Sequence, residues 1–407
     1  MKCGLLGHPL GHSYSPTIHS YLGTYSYELF DIPQDKLHDF LKTSDFSGIN
    51  VTIPYKKNVL QYCNDLSERA NILGAVNTII RSANGTLVGH NTDYFGFQYM
   101  LTKSNIAVAD KKVLVLGSGG ASNTVCCVLR ELGANVIIVS RSGENHYGNL
   151  YFHRDASLIV NTTPVGMYPN TLISPIGLDQ FSNLEGVLDV VYNPSRTKIL
   201  LDAEQHGLTA MNGLVMLVAQ AKEAAEWFTG KAINNQIIDK IHTALKLRME
   251  NTILIGMPGC GKTTIGKILA DRLNKKFLDL DAAFKEKTGI LPGEMITNYG
   301  EDAFRKQETE IICEIGKESG QVIATGGGCV TKAENYLHLH QNGTIYLIDR
   351  DLNLLSTDGR PLSKATNLQT MYATRKSMYE SFADYTVVNA GSIETVVNEI
   401  INLEESL

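Results

Sequence analysis

The sequence predicts an α/β protein: a two-lobed N-terminal unit followed by a P-loop α/β/α domain on a parallel sheet. Three observations predict it. An apolar run, Thr252-Ile253-Leu254-Ile255, enters Gly256-Met257-Pro258-Gly259-Cys260-Gly261-Lys262-Thr263-Thr264 and leaves through the helically periodic Ile265 to Ala270. A second buried-type strand, Lys112 to Leu116, runs into Gly117-Ser118-Gly119-Gly120-Ala121-Ser122 and a helix through Val128 to Leu132. Within the first hundred residues, short β-branched segments end in polar loops. Strands alternating with helices imply sheets covered on their faces.

The chain of 407 residues has room for two or three domains. Its 43% hydrophobic and 19% charged residues fit globular domains. A net charge of −6 removes the electrostatic case for nucleic acid or an anionic membrane. The seven cysteines (Cys3, Cys63, Cys126, Cys127, Cys260, Cys313, Cys329) show no metal-ligand spacing and read as reduced thiols of a cytosol. The N-terminus breaks too early for a signal peptide, and no apolar run is long enough to cross a bilayer. The expectation is a soluble cytoplasmic protein whose partners are small molecules.

A strand from Lys2 to Leu6 opens the chain and enters a loop, Gly7 to Pro16, whose Ser13 and Ser15 offer hydroxyls to a polyhydroxylated ligand. His8, His12 and His19 lack a ligand-spaced carboxylate or cysteine and read as loop and helix-cap residues. Ile49 to Ile53 reads as a β-branched strand ended by Pro54, with Thr52 and Lys56 near its carboxyl end. Gly74-Ala75-Val76-Asn77-Thr78 and Gly89-His90-Asn91-Thr92-Asp93 are two more strand ends with polar side chains. A lysine and a carboxylate brought together can share the proton that a carbonyl oxygen gains on reduction.

The order HSxSP, NVTxPxK, GAVNT and NTDxxGF resembles shikimate dehydrogenase. The resemblance implies that Lys56 and Asp93 are the catalytic pair. It also implies that Ser13, Ser15, Thr52, Lys56, Asn77 and Asp93 hold the substrate.

The glycine turn at residues 117–122 reads as the first βα turn of a dinucleotide fold, with Gly117, Ser118, Gly119, Gly120 and Ala121 around a pyrophosphate. The next strand, Asn135 to Val139, ends in Ser140-Arg141 where an NAD-type fold places an acid; an arginine there suits the 2′-phosphate of NADP(H). The surface-charge alternative for Arg141 stays open on composition alone. Residues 161–167, 188–194 and 212–221 extend the resemblance, which implies that Tyr192 and Gln220 reach the substrate and that the Gly213 backbone meets the nicotinamide. Only Ser142 to Val160 separates the Arg141 turn from the next motif, where the resemblance implies a further helix and strand. Against that family one βα unit reads as trimmed, with His146 and Arg154 as stand-ins for the second basic residue the resemblance also implies.

Helical periodicity runs through Trp227 to about Leu247, and the P-loop strand begins within a few residues, so the linker is short. In the loop, backbone amides close round phosphate, Lys262 reaches the β- and γ-phosphates, and the Thr263 hydroxyl can ligand Mg²⁺. Asp279 and Asp281 share one face if the strand runs through both. Arg305 and Glu308 lie one helical turn apart, Gly326-Gly327-Gly328 ends another strand, and Arg360 and Arg375 add guanidinium groups.

Together these segments resemble shikimate kinase from about Asn251 to Ser406. The resemblance implies that Asp281, Arg305, Gly327, Gly328 and Arg375 hold shikimate and that Asp281 orients the attacking hydroxyl. It also implies that Gly259, Cys260, Gly261, Lys262, Thr263, Thr264 and Arg360 meet ATP, with Lys262 and Arg360 catalytic and Thr263 and Asp279 on Mg²⁺. The segment Leu352 to Gly359 is short for a lid and lacks an arginine before Arg360.

The domain boundaries expected are a substrate domain at residues 1–97 and 212–247, a shortened Rossmann-like NADP domain at 98–211, and a P-loop kinase domain at 248–407. The function expected is NADPH-dependent reduction of 3-dehydroshikimate, then ATP-dependent phosphorylation of shikimate. The alternatives are a quinate or NAD preference in the first half, or a metabolite-sensing first half fused to an active kinase.

Overall fold

The computed structural model describes residues 1–11, 13–355 and 368–406. Three sheets organise the chain. The first has six strands in the order β2-β1-β3-β5-β6-β4: β1 (Lys2–Gly7), β2 (Ser26–Asp31), β3 (Gly48–Val51), β4 (Asp65–Leu66), β5 (Thr78–Arg81) and β6 (Leu87–His90). β1 pairs in parallel with β2 and β3, whereas β5 runs antiparallel to both β3 and β6. β3 stops at Val51, two residues before the expected Ile53, because the chain turns at Thr52, whose carbonyl accepts from Tyr55 N.

The second sheet is all parallel, in the order β11-β10-β9-β7-β8, from β7 (Lys112–Leu116), β8 (Asn135–Val139), β9 (Leu158–Asn161), β10 (Gly186–Asp189) and β11 (Thr209–Met211). Interior strand β7 is apolar from Val113 to Leu116 and all four side chains are buried, as a strand covered on both faces requires. Between β8 and β9 the chain makes only a 3₁₀ turn, Leu150–His153, so β8 is the edge of this sheet.

The third sheet, also parallel, runs β13-β14-β12-β15-β16, from β12 (Asn251–Ile255), β13 (Lys276–Asp279), β14 (Gln321–Ala324), β15 (Gly343–Asp349) and β16 (Tyr385–Val388). Ile253, Ile323 and Ile345 sit side by side in its register and are fully buried. Helices Lys262–Leu273 and Glu301–Ile315 supply Ile265, Leu269, Ile311 and Ile312 to the same core.

The chain divides into two compact units. One holds the first two sheets and comprises residues 1–164, 175–192 and 202–242. The other comprises 165–174, 193–201 and 243–407 and holds the third. Among the described residues no helix is long and apolar enough to cross a membrane.

Candidate active sites

In the first unit, Lys56 stands in the turn after β3 and Asp93 is the first residue of the helix Asp93–Lys103. Val76 N donates to Lys56 O at 2.8 Å, which fixes the turn. The Lys56 ammonium donates to Asp93 Oδ2 at 2.6 Å, with the two side chains 33% and 16% exposed. A pair shielded this far keeps more of its attraction than a surface pair in salt.

Behind it runs a polar chain, buried at Ser15, Asn50, Asn77, Thr78 and Thr92 and half-buried at Tyr27 and Gln220. Tyr27 sits beside the Ser15 side chain and donates to Asn50 Oδ1 at 2.8 Å. Asn50 Nδ2 donates to Thr78 Oγ1 at 3.2 Å, and Thr78 donates to Asn77 Oδ1 at the same distance. Asn77 Nδ2 donates to Thr92 Oγ1 at 3.1 Å, and Thr92 meets Gln220 Oε1 at 3.4 Å. The predicted Ser15, Asn77 and Gln220 are thus linked, and Thr92 within the chain immediately precedes Asp93. Such a network rigidifies a site only when its members are satisfied. Tyr27, Asn50, Thr78 and Thr92 were not among the predicted site residues, although Thr78 and Thr92 stood in the polar strand-end segments; for Tyr27 and Asn50 the signal available was a polar side chain on a strand.

Ser13 Oγ accepts from Ser15 N at 3.2 Å. Thr52 lies against β1, since a Cβ on Gly7 would be 2.6 Å from its methyl group. Tyr192 stands edge-on to Tyr14, ring centroids 6.4 Å apart, and burial raises its phenol pKa, so it remains a donor. His19 departs from the expected loop or cap role. It is buried in the helix Ser15–Leu22, stacked on Tyr27 at 4.0 Å, and burial lowers its pKa to about 3. His8 does have a carboxylate partner, Asp31, at 2.7 Å. His12 lies outside the described residues.

At the dinucleotide turn, Gly117 has φ +108°, and a Cβ there would lie 2.8 Å from Thr162 Oγ1. Gly119 precedes the helix Gly120–Glu131. Added Cβ atoms at Gly119 and Gly120 would meet nothing within 4 Å, so this helix end is open, with Ser118 and Ala121 beside it. Gly213 is required for a different reason: a Cβ would lie 2.2 Å from the Val190 carbonyl oxygen. Ser140 N donates to Asn145 O at 3.1 Å, and Arg141 is exposed in the loop that follows. His146 Nδ1 accepts from Gly148 N at 3.1 Å within that loop, and Arg154 follows the 3₁₀ turn. A helix N-terminus open to solvent, with an exposed arginine after the neighbouring strand, fits the pyrophosphate and 2′-phosphate of NADP(H).

In the second unit a cleft of about 860 Å³ opens over the P-loop and is bordered by Lys262, Asp281, Arg305 and Arg375. Gly259, Gly261, Thr263 and Thr264 line it as well. Cys260 does not: its side chain is fully buried beneath the loop. Lys262 Nζ donates to the Gly256 and Met257 carbonyls at 2.8 and 3.0 Å.

The shared-face argument for Asp279 and Asp281 needs correction. The strand ends at Asp279, whose Oδ1 caps the helix Leu280–Thr288 by accepting from Asp281 N and Ala282 N. Capping, rather than strand alternation, therefore brings both carboxylates to the cleft. Asp279 Oδ2 accepts from Thr263 Oγ1 at 2.9 Å. A hydroxyl and a carboxylate oxygen this close suit Mg²⁺, which takes one or two protein oxygens and completes its shell with phosphates and water. Among the described residues no cluster of three or more His, Cys, Asp or Glu is placed to hold a metal by itself.

The three glycines after β14 are each enforced by a neighbour. A Cβ would lie 2.8 Å from Glu308 Oε1 at Gly326, 2.6 Å from Pro258 Cδ at Gly327, and 2.0 Å from Arg305 Nη2 at Gly328. Arg305 is itself braced, donating to Glu308 Oε2 at 2.6 Å and to Glu301 Oε1 at 3.0 Å. Burial pushes the Glu308 pKa up against the opposing pull of Arg305. Glu308 and Arg350 border the cleft but were not among the predicted site residues. Arg375 Nη1 donates to Gly327 O at 3.2 Å. Arg360 lies outside the described residues.

Comparison with known proteins places both sites in context. Residues 5–79 match the family model of the shikimate dehydrogenase substrate binding domain, and residues 258–404 match that of shikimate kinase. The NADP⁺ shikimate dehydrogenase of Clostridium perfringens (strain 13 / Type A) is 35% identical over 60% of this chain and 98% of its own. Among solved structures, a chorismate mutase/shikimate 5-dehydrogenase fusion protein from Clostridium acetobutylicum is 37% identical, with a TM-score of 0.57 over 60% of this chain and 96% of that one. The shikimate 5-dehydrogenase of Thermus thermophilus, in complex with NADP(H) and shikimate, is 32% identical, with a TM-score of 0.55 over 60% and 98%.

Proposed function

The chain belongs to the shikimate dehydrogenase family and carries a shikimate kinase domain over residues 258–404, and from that premise we propose that it catalyses two successive steps on one ring acid. The first is reduction of 3-dehydroshikimate to shikimate; the second passes the γ-phosphoryl group of ATP to the shikimate 3-hydroxyl. The observation that carries the first step is the 2.6 Å contact between Lys56 and Asp93.

NADPH, when bound, supplies the hydride to the carbonyl carbon. Lys56 gives a proton to the carbonyl oxygen as it becomes a hydroxyl, and Asp93 holds the ammonium in line. Ser13, Ser15, Thr52, Asn77, Tyr192 and Gln220 hold the ring's polar groups. Gly117 to Ala121 take the pyrophosphate, Ser140 and Arg141 the 2′-phosphate, and Gly213 lies at the nicotinamide.

In the kinase cleft, Arg305, Arg375, Gly327 and Gly328 take the acid, and Asp281 orients its hydroxyl and accepts the proton. Lys262 and the amides of residues 259–264 neutralise the phosphates, and Arg360 is proposed to act on the transferring group. Thr263 and Asp279 would hold Mg²⁺, which would supply positive charge to offset that of the phosphates. The proposed domain limits are 1–97 with 212–247, 98–211, and 248–407, and the proposed setting is cytoplasmic.

Steady-state rates with shikimate and with quinate, each with NADP⁺ and NAD⁺, test the substrate and cofactor assignment. A preference for shikimate and NADP⁺ is expected, and a marked quinate and NAD⁺ preference overturns it.

A further inference from the structure

Arg375 and Tyr379 lie one turn apart on the helix Leu368–Phe382 and donate to one acceptor, the Gly327 carbonyl. Arg375 Nη1 reaches it at 3.2 Å, and the Tyr379 hydroxyl makes a short hydrogen bond to it. Tyr379 is 1% exposed, and its hydroxyl lies 3.8 Å from Met257 Sδ of the P-loop. Burial raises the phenol pKa, so this group is a neutral donor at any working pH. Gly327 in turn lies against Pro258. One buried hydroxyl therefore contacts both the P-loop residue Met257 and the Gly327 carbonyl at the cleft.

A trans peptide is planar, and its N–H points opposite to its C=O. Holding the Gly327 oxygen therefore also sets the direction of the Gly328 N–H, and Gly328 lies against the Arg305 guanidinium. The same carbonyl holds one nitrogen of Arg375. We propose that Tyr379 is a positioning residue for the carboxylate-binding side of the kinase cleft. By anchoring the Gly327 carbonyl it fixes the Gly327–Gly328 peptide and sets Arg375 in one arrangement. The inference rests on the kinase reading above. Without the hydroxyl, Arg375 is left as the donor to Gly327 O and is drawn onto the carbonyl at the expense of the substrate acid.

The test is the Tyr379→Phe variant of the full chain, which removes one oxygen and leaves the carbonyl its arginine donor. The KM for shikimate is expected to rise about tenfold. The kcat, the KM for MgATP and the dehydrogenase rate should stay within about twofold. With the carboxamide of shikimate as substrate, wild type and variant should share one KM, because the fixed groups serve the negative charge. An unchanged shikimate KM overturns the proposal. So does a rise in both KM values with a lowered unfolding midpoint, which marks a structural role. A wild-type chain that forms no ADP in response to shikimate overturns the kinase reading instead.

Discussion

Lys56 and Asp93, 37 positions apart in the chain, meet through a hydrogen bond of 2.6 Å between ammonium and carboxylate. The contact is made by a turn braced at Val76 N and by the first residue of a helix, so neither partner depends on a flexible loop. Replacing Lys56 by alanine removes the proton donor while leaving Asp93 partly solvated. Reduction of 3-dehydroshikimate is expected to fall by about 10²- to 10⁴-fold, with phosphorylation of added shikimate unchanged. Lys262→Ala should do the reverse, costing at least about 100-fold in kinase kcat and sparing the dehydrogenase. Separate assays of each variant check this, and loss of both activities in either one contradicts independent sites.

Gly119 and Gly328 give opposite predictions for the same substitution. At Gly119 an added methyl meets no protein atom within 4 Å, and the backbone φ of −87° suits any residue. Gly119→Ala should therefore keep its unfolding midpoint while raising the KM for NADPH about tenfold, by crowding the pyrophosphate at the helix end. Fluorescence titration with NADPH beside a melting curve reads both. Unaltered NADPH binding would remove the pyrophosphate from this turn.

At Gly328 the methyl would lie 2.0 Å from Arg305 Nη2, so the guanidinium must move. Displacing a positioned arginine by about 1 Å costs on the order of 100-fold in rate. Gly328→Ala is expected to lose that much kinase kcat/KM for shikimate with MgATP binding retained. Calorimetric titration with a non-hydrolysable ATP analogue separates the two effects.

Glu223, on the helix Leu214–Thr229, carries a buried Oε2 without a hydrogen-bond partner. Burial, then the charges of Glu226 and Asp93, raise its pKa from 4.5 to about 7. Between those values the unfolded chain releases the proton and the folded chain keeps it. Its contribution to stability is thus complete below about pH 4.5 and lost as the pH climbs through about 7, in all about 3 kcal/mol. Glu223→Gln stays neutral, so its stability relative to wild type should rise across that window in urea titrations. Parallel curves for the two proteins would contradict the assignment.

Much of both sites was legible because their chemistry is written in local runs. The P-loop, the glycine turn at 117–121 and Lys56 after its proline each sit in a contiguous stretch whose backbone demands those residues. What could not be read was pairing across the fold. The chain Tyr27–Asn50–Thr78–Thr92 joins residues brought together by strand register, and each alone looks like an ordinary strand or loop residue. Asp281 was expected on a strand, because strand alternation puts residues 279 and 281 on one face and the sequence alone does not show where the strand gives way to the helix. The deciding feature was the capping bond from Asp279. Glu308 was seen as Arg305's helical neighbour but not as a cleft residue, since its burial depends on how its helix packs under Gly326.

The central claim is that one chain makes shikimate and then phosphorylates it. The direct measurement is to give the purified 407-residue chain 3-dehydroshikimate, NADPH, ATP and Mg²⁺ and to follow NADPH oxidation and ADP formation together. Both signals should appear, with ADP lagging NADP⁺ and Lys262→Ala leaving shikimate to accumulate. A protein that binds shikimate yet consumes no NADPH with 3-dehydroshikimate would show the first half to be a sensor and contradict the account.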